Sequence, residues 1–167
     1  GYFLRRYIQE STDFTPSKLV TNKHHWIVYR YAETLLSYAE SMANAFPSDM
    51  NYTDFEYPYS ALWALNQVRT NAGMPPVPSC GYEEFIERLR NEWRVEFAFE
   101  DHRFWDIRRW KIGDLTQREL VAVKIVKSES GVLNHYRQVY ETRTWTDKMY
   151  LYPIPQAELH KNRNLSP

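Results

Sequence analysis

Residues 85–110 read FIERLRNEWRVEFAFEDHRFWDIRRW. At the 3.6-residue helical period, Tyr82, Phe85, Ile86, Leu89, Trp93, Phe97 and Phe104 share an arc somewhat under half the circumference. Glu92, Glu96 and Glu100 fall inside the same arc, each one turn after the last, whereas Arg88, Arg90, Arg94 and Asp101 fall outside it. Carboxylates on a face that should be buried need cationic partners, because an unpaired buried charge is too costly to keep. Arg103 lies on the arc three residues past Glu100, and Asp106 and Arg109 repeat that spacing. The stretch is therefore expected to be one long helix, from just after Gly81 to Trp110, with a charge ladder inside its packing face. Glu83 and Glu84 stand in its first turn, where the helix dipole favours acids.

Upstream, Tyr31, Leu35, Tyr38, Ala39, Met42 and Phe46 form a stripe that predicts a helix over about 27–46, ended by Pro47. Ala32, Ala39 and Ala43 would let a neighbouring helix approach closely. A second helix is predicted over about 58–72, with Pro58 in its first turn and Ala61, Leu62, Leu65, Val68 and Ala72 facing inward. Gly73 is placed to cap it, and Pro75, Pro76 and Pro78 forbid continuation. Near the start, GYFLRRYIQ reads as a short strand, and Pro16 marks a loop.

Downstream the period changes. Leu120–Val126 is apolar and β-branched, SESG is a turn, and Val132–Tyr140 follows, which predicts a β-hairpin near 120–140. Residues 149–155 read as extended, and a short helical turn is expected from Pro155. The sum is one mainly α, layer-packed unit of 167 residues: three helices with one hairpin.

Composition narrows the function classes. Lys plus Arg and Asp plus Glu both number 21, so no electrostatic case exists for nucleic acid or an anionic membrane. Six Trp, 13 Tyr and eight Phe fall mostly at helical or strand spacing, which favours a core of large rings over a ring-stacking surface. Cys80 is the sole cysteine; its place before a helix start would favour a thiolate, but a surface thiol without a role is the expected reading. No apolar run reaches the roughly 18 residues that span a bilayer. With Gly1-Tyr2 at its start and no signal peptide, the chain reads as a fragment or processed product. His24 and His25 are adjacent, so they point apart, and no third ligand is suitably spaced; neither a metal nor a cofactor is expected.

Four blocks then occur in a telling order: RYAETLLSYAESMA (30–43), ALNQVRTNAGMPPV (64–77), LRNEWRVEFAFEDHRFWDIRRWKIG (89–113) and YLYPIPQAELHKNRNL (150–165). Together they resemble the C-terminal region of the SusD/RagB family of nutrient-binding outer-membrane lipoproteins. The resemblance implies that residues 1–167 are the C-terminal part of such a domain, the N-terminal part being absent. It implies a mainly α scaffold, the helix pairs of a tetratricopeptide-like α-α superhelix, on the outer face of the outer membrane, lipid-anchored through an N-terminal cysteine absent from this chain. It further implies a non-enzymatic partner of a TonB-dependent transporter in the uptake of glycans or other oligomeric nutrients. One departure is visible: the family's usual Glu-Gly-His-Arg is Glu100-Asp101-His102-Arg103 here. Glycine permits positive φ freely and aspartate less so, so the helix either runs straight through or breaks with some strain.

Two other classes compete. A glycoside hydrolase would use two carboxylates from Glu92, Glu96, Glu100 and Asp106, separated by about 5 Å or roughly 6.5–9.5 Å across an open cleft. Helical turns place Cβ atoms about 5–6 Å apart, so spacing permits it. The aromatic lining and the matching arginines favour structural ion pairs instead, with Arg30, Arg69, Arg103 and Arg109 as the expected partners. A helical protein-binding scaffold is the other alternative, though the tetratricopeptide consensus itself is missing. For sugar contact, rings in loops are needed, and the candidates are Trp26, Tyr52, Phe55 and Tyr57. The family's ligand loops vary, so no motif position assigns them.

Overall fold

The computed structural model describes residues 4–22, 25–162 and 164. Five helices and one hairpin follow in the order α1 (Tyr31–Ala45), α2 (Ala61–Asn71), α3 (Tyr82–Glu96), α4 (His102–Arg109), β1 (Glu119–Lys127), β2 (Leu133–Thr142) and α5 (Gln156–Lys161). Among the described residues the fold is mainly helical with a single two-stranded antiparallel sheet. The chain divides into two compact units, Tyr7–Arg103 and Gly1–Arg6 with Phe104–Pro167.

In the helical unit, α1 pairs with α2 and also packs on α3, the helix-pair pattern of tetratricopeptide-like scaffolds. The Tyr82 hydroxyl, at the start of α3, donates to Asn44 Oδ1 near the end of α1. Arg30, at the start of α1, reaches Glu96 at the end of α3, so these two helices run in opposite directions. The seams among α1, α2 and α3 are built from alanines, leucines and one phenylalanine: Leu36, Ala39, Ala43, Ala64, Leu65, Phe85 and Leu89 are fully buried. Alanines at the contact let backbones approach, while Phe85 and the leucines fill the remaining space.

Helix ends follow local chemistry. Pro58 lies outside α2 rather than in its first turn, because the Ser60 hydroxyl caps the helix by accepting from Trp63 N at 3.0 Å. Beyond α2, Gly73 N donates to Thr70 O and Met74 N to Arg69 O, with Gly73 at φ +70°, a Schellman end that leaves Ala72 exposed rather than inward. The predicted start of the first helix is also corrected. Residues 27–30 lie outside any helix or strand, α1 begins at Tyr31, and Tyr31 is exposed instead of joining the buried stripe. The described part of the predicted first strand, residues 4–9, is turn and coil; the nearest pairing is a single bridge between Asp13 and Val20.

The long helix predicted through residue 110 is broken. α3 stops at Glu96, Phe99 and Asp101 take φ of +66° and +63°, and α4 starts anew at His102. Two left-handed residues cannot continue a right-handed helix. The break resets the rotational phase, so Phe104 is exposed although the straight-helix arc places it inside.

In the second unit, Lys111 at φ +51° ends α4, with Ile112 N donating to Ile107 O at 3.1 Å. Gly113 follows where space is lacking: an added Cβ would overlap the Trp145 indole. Gly113 N donates to the Tyr150 hydroxyl at 2.9 Å, and Tyr150 packs edge-on against Trp145, which ties the end of α4 to the base of the hairpin. β1 and β2 pair from Glu119↔Thr142 to Lys127↔Leu133, with an irregularity between Leu120 and Val121. The Ser128–Gly131 turn closes them, with Gly131 at φ +85°. One face of β1 is half-buried, and β2 is exposed throughout.

Candidate ligand-binding site

The charge ladder of α3 meets arginines from both flanking helices. Arg69, on the last turn of α2, places Nη1 2.6 Å from Glu92 Oε2 and donates from Nε to Pro75 O at 3.0 Å. The Glu92 side chain is 7% exposed and that of Arg69 17%, so water screens this pair little. Arg30 pairs with Glu96, donates from Nη2 to Glu96 O at 2.7 Å, and places Nε 2.9 Å from Glu100 Oε2. Its guanidinium also lies 4.1 Å above the Phe97 ring. Burial works against the Arg30 charge, but the hydrogen bonds and charges of Glu100 and Glu96 outweigh it and raise its pKa. His102 adds a further link: its ring packs on Trp93 and Phe97, with Nε2 3.6 Å from Glu33 Oε2 on α1. Arg103 is half-buried on the first turn of α4. In the second unit, Arg109 Nε lies 2.9 Å from the buried Asp106 Oδ1, one helical turn away.

Charge compensation thus falls where the backbone most needs restraint. The α3–α4 break leaves residues 97–101 between the two helices, and Arg30 bridges Glu96 and Glu100 on either side of Phe99.

The aromatic candidates occupy different settings. In the loop after α1, Asp54 organises the turn: Oδ1 accepts from Glu56 N at 2.9 Å and Tyr57 N at 2.6 Å, and Oδ2 accepts from the Tyr52 hydroxyl at 2.6 Å. The Tyr52 hydrogen bond, then that from Tyr57 N, holds the Asp54 carboxyl below its usual value and, reciprocally, the Tyr52 hydroxyl above its own. Tyr52 stacks on Phe46 at 3.9 Å and Tyr57 lies 5.9 Å from the same ring, so both are half-buried supports. Phe55, between them, is fully exposed at the tip. Trp26 is exposed, with one face toward Tyr7 at 6.4 Å. An aromatic pair that the sequence pattern did not single out is Tyr59 stacked on Trp63 at 4.2 Å; both are exposed, and the Tyr38 hydroxyl fixes Tyr59 O at 2.6 Å. Its only sequence signal is aromatics four apart across a helix cap.

Two hollows accompany these groups. One, of about 410 Å³, opens in the helical unit between α1, α2 and the end of α3. The other, of about 670 Å³, lies in the second unit against Phe104, Tyr152 and Leu159 and is largely apolar. Cys80 is half-buried, and burial, then the Glu84 charge, raises its thiol pKa against the opposing pull of Arg88; the helix start does not make it a thiolate. Among the described residues no cluster of three or more His, Cys, Asp or Glu side chains is arranged to hold a metal, and no helix is long and apolar enough to cross a membrane. His25 is exposed, and His24 lies outside the described residues.

Paired helices locked by interior arginine–glutamate bridges, with aromatic rings displayed on tight loops, define a helical scaffold suited to binding. The chain belongs to the SusD family, whose family model matches residues 1–166. It is similar to a SusD-like protein from Bacteroides fragilis, with 37% identity over 84% of this chain and a TM-score of 0.70. It is also similar to a SusD superfamily protein from Parabacteroides distasonis, with 25% identity over 84% of this chain and a TM-score of 0.54. The chain spans about a quarter of the length of these solved relatives, 25% and 26%. No curated protein matches it significantly.

Proposed function

We propose that this protein helps capture an oligomeric nutrient, a glycan foremost, at the cell surface and performs no chemistry on it. Membership of the SusD family over residues 1–166 carries the reading. In this reading the chain is the C-terminal portion of a longer lipoprotein. A segment outside these residues anchors that protein to the outer face of the outer membrane, where it works with a TonB-dependent transporter. The state of the acids supports a binding role. Oxygens of Glu92, Glu96, Glu100 and Asp106 are engaged by Arg69, Arg30 and Arg109, whereas a glycosidase needs a carboxyl pair facing substrate across a cleft.

Phe55 and Trp26 then supply the faces on which sugar rings stack, and Tyr52 and Tyr57 hold the Phe55 loop in shape. Titration calorimetry against a panel of polysaccharides tests this. Phe55→Ala and Trp26→Ala are expected to weaken binding without changing the melting temperature. Release of reducing ends from any polysaccharide by the purified protein would overturn the non-enzymatic reading, and unchanged retention of both variants on a glycan affinity gel would remove the ring assignment.

A further inference from the structure

The hollow between α1, α2 and the end of α3 has the size of a small-molecule site, about 410 Å³ against a usual range of about 300–1,000 Å³. Its lining is divided by chemistry. Leu35 and Val68, both buried, form an apolar floor, and Ala32 leaves room above it. On α2, Gln67 and Asn71 stand one helical turn apart on the rim. Both are exposed, and among the described residues neither carboxamide is engaged in a hydrogen bond. Each therefore offers a free carbonyl acceptor and two free N–H donors. Across from them stands the exposed Tyr31 ring on the first turn of α1.

The charged wall is closed to anions by its own pairing. Arg30 and Glu96 line the hollow, and the Arg30 charge is shared with Glu100 as well. Arg30 and Glu96 face the hollow as an ion pair, and the Arg30 Nε is spent on Glu100, so the wall offers no open cation. A ligand carrying its own carboxylate or sulfate would be desolvated there without a counter-charge, because the guanidinium that could receive it is already engaged.

We propose that this hollow is a subsite for a single uncharged pyranose unit. The apolar face of the sugar lies against Tyr31 and the Leu35–Val68 floor, and its hydroxyls exchange hydrogen bonds with Gln67 and Asn71. The proposal rests on the nutrient-binding reading and adds to it a position and a charge preference. Neutral hexose oligomers are selected, and uronic-acid or sulfated oligomers are rejected.

The test uses calorimetry of the full chain with cellohexaose, maltohexaose, mannohexaose and, as the charged counterpart, hexagalacturonate. Gln67→Ala and Asn71→Ala lie on the exposed rim of α2, where alanine is a better helix former, so folding is preserved and thermal melting confirms it. At least one neutral hexasaccharide is expected to bind and hexagalacturonate to fail. Each alanine is expected to weaken binding by about twofold to tenfold, the size of one hydrogen bond, and the two together more. The proposal is overturned if the double variant binds as tightly as the wild type, or if hexagalacturonate binds as well as the neutral sugars. Binding that survives the double variant but falls with Phe55→Ala or Trp26→Ala removes the subsite and leaves the nutrient reading standing. Failure of the wild-type chain to bind any of the four sugars removes both.

Discussion

Replacing Arg69 with leucine isolates the cost of a stranded charge. The Glu92 carboxylate is 7% exposed and has the guanidinium 2.6 Å away, so the variant leaves an anion in a near-dry site. Breaking a buried pair by removing one member costs about 3–5 kcal/mol. The 17% exposure of Arg69 lets some water in and places this pair at the lower end, about 3 kcal/mol. Pro75 O also loses its donor, which adds about 1 kcal/mol. For a chain of this length, 1 kcal/mol moves the melting temperature by about 2–4 °C, so the single variant should melt roughly 8–16 °C lower. The control is the double variant Arg69→Leu with Glu92→Leu. It buries no charge and should recover most of the loss, because packed apolar groups replace buried ion pairs at little cost. Urea unfolding followed by tryptophan fluorescence reads both, since Trp93 is buried one residue from Glu92. A single variant that loses less than about 1 kcal/mol, or a double variant no more stable than the single, would refute the claim that a stranded carboxylate sets the cost.

Other outcomes follow from the strained backbone, the tight contacts and the titrating groups. Asp101→Gly should gain up to about 1 kcal/mol in thermal unfolding, because φ of +63° strains aspartate and not glycine. Gly113→Ala should lose about 1–3 kcal/mol, as the new methyl displaces the Trp145 indole; near-ultraviolet circular dichroism reports the displaced ring. The loop after α1 should hold its shape across the neutral range. Asp54 has a lowered pKa, so its contribution is present above the ordinary value of 3.8 and is lost as pH falls through the folded value. Tyr52 has a raised pKa, so its contribution is present below 10.0 and is lost as pH rises through the folded value. A phenolate absorbance titration should show Tyr52 ionising later in the wild type than in Asp54→Ala. Cys80 should react with iodoacetamide more slowly than a free thiol at neutral pH, since its raised pKa depletes the thiolate.

The hairpin, the short helix after Pro155 and the three helix cores were legible because each rests on local periodicity and turn residues that the chain carries with it. Tyr31 misleads for a related reason: its place in the apolar stripe is correct by period, but it sits on the first turn of α1, where it is exposed. Phe104 misleads because period counting assumes an unbroken helix, and two positive-φ residues reset the count. The Gln67–Asn71 rim had no sequence signal at all, since two amides four apart on a helix are ordinary until α1 and α3 enclose the space beside them.

By itself the sequence determined that Glu92, Glu96 and Glu100 recur at one-turn spacing beside a buried aromatic face, and so require cations, because the cost of a buried charge does not depend on which partner relieves it. Which arginine meets which carboxylate was decided only by tertiary structure. Arg30 and Arg69 come from helices 66 and 23 residues away from their partners on α3, and only the packing of α1 and α2 on that helix brings the groups within reach.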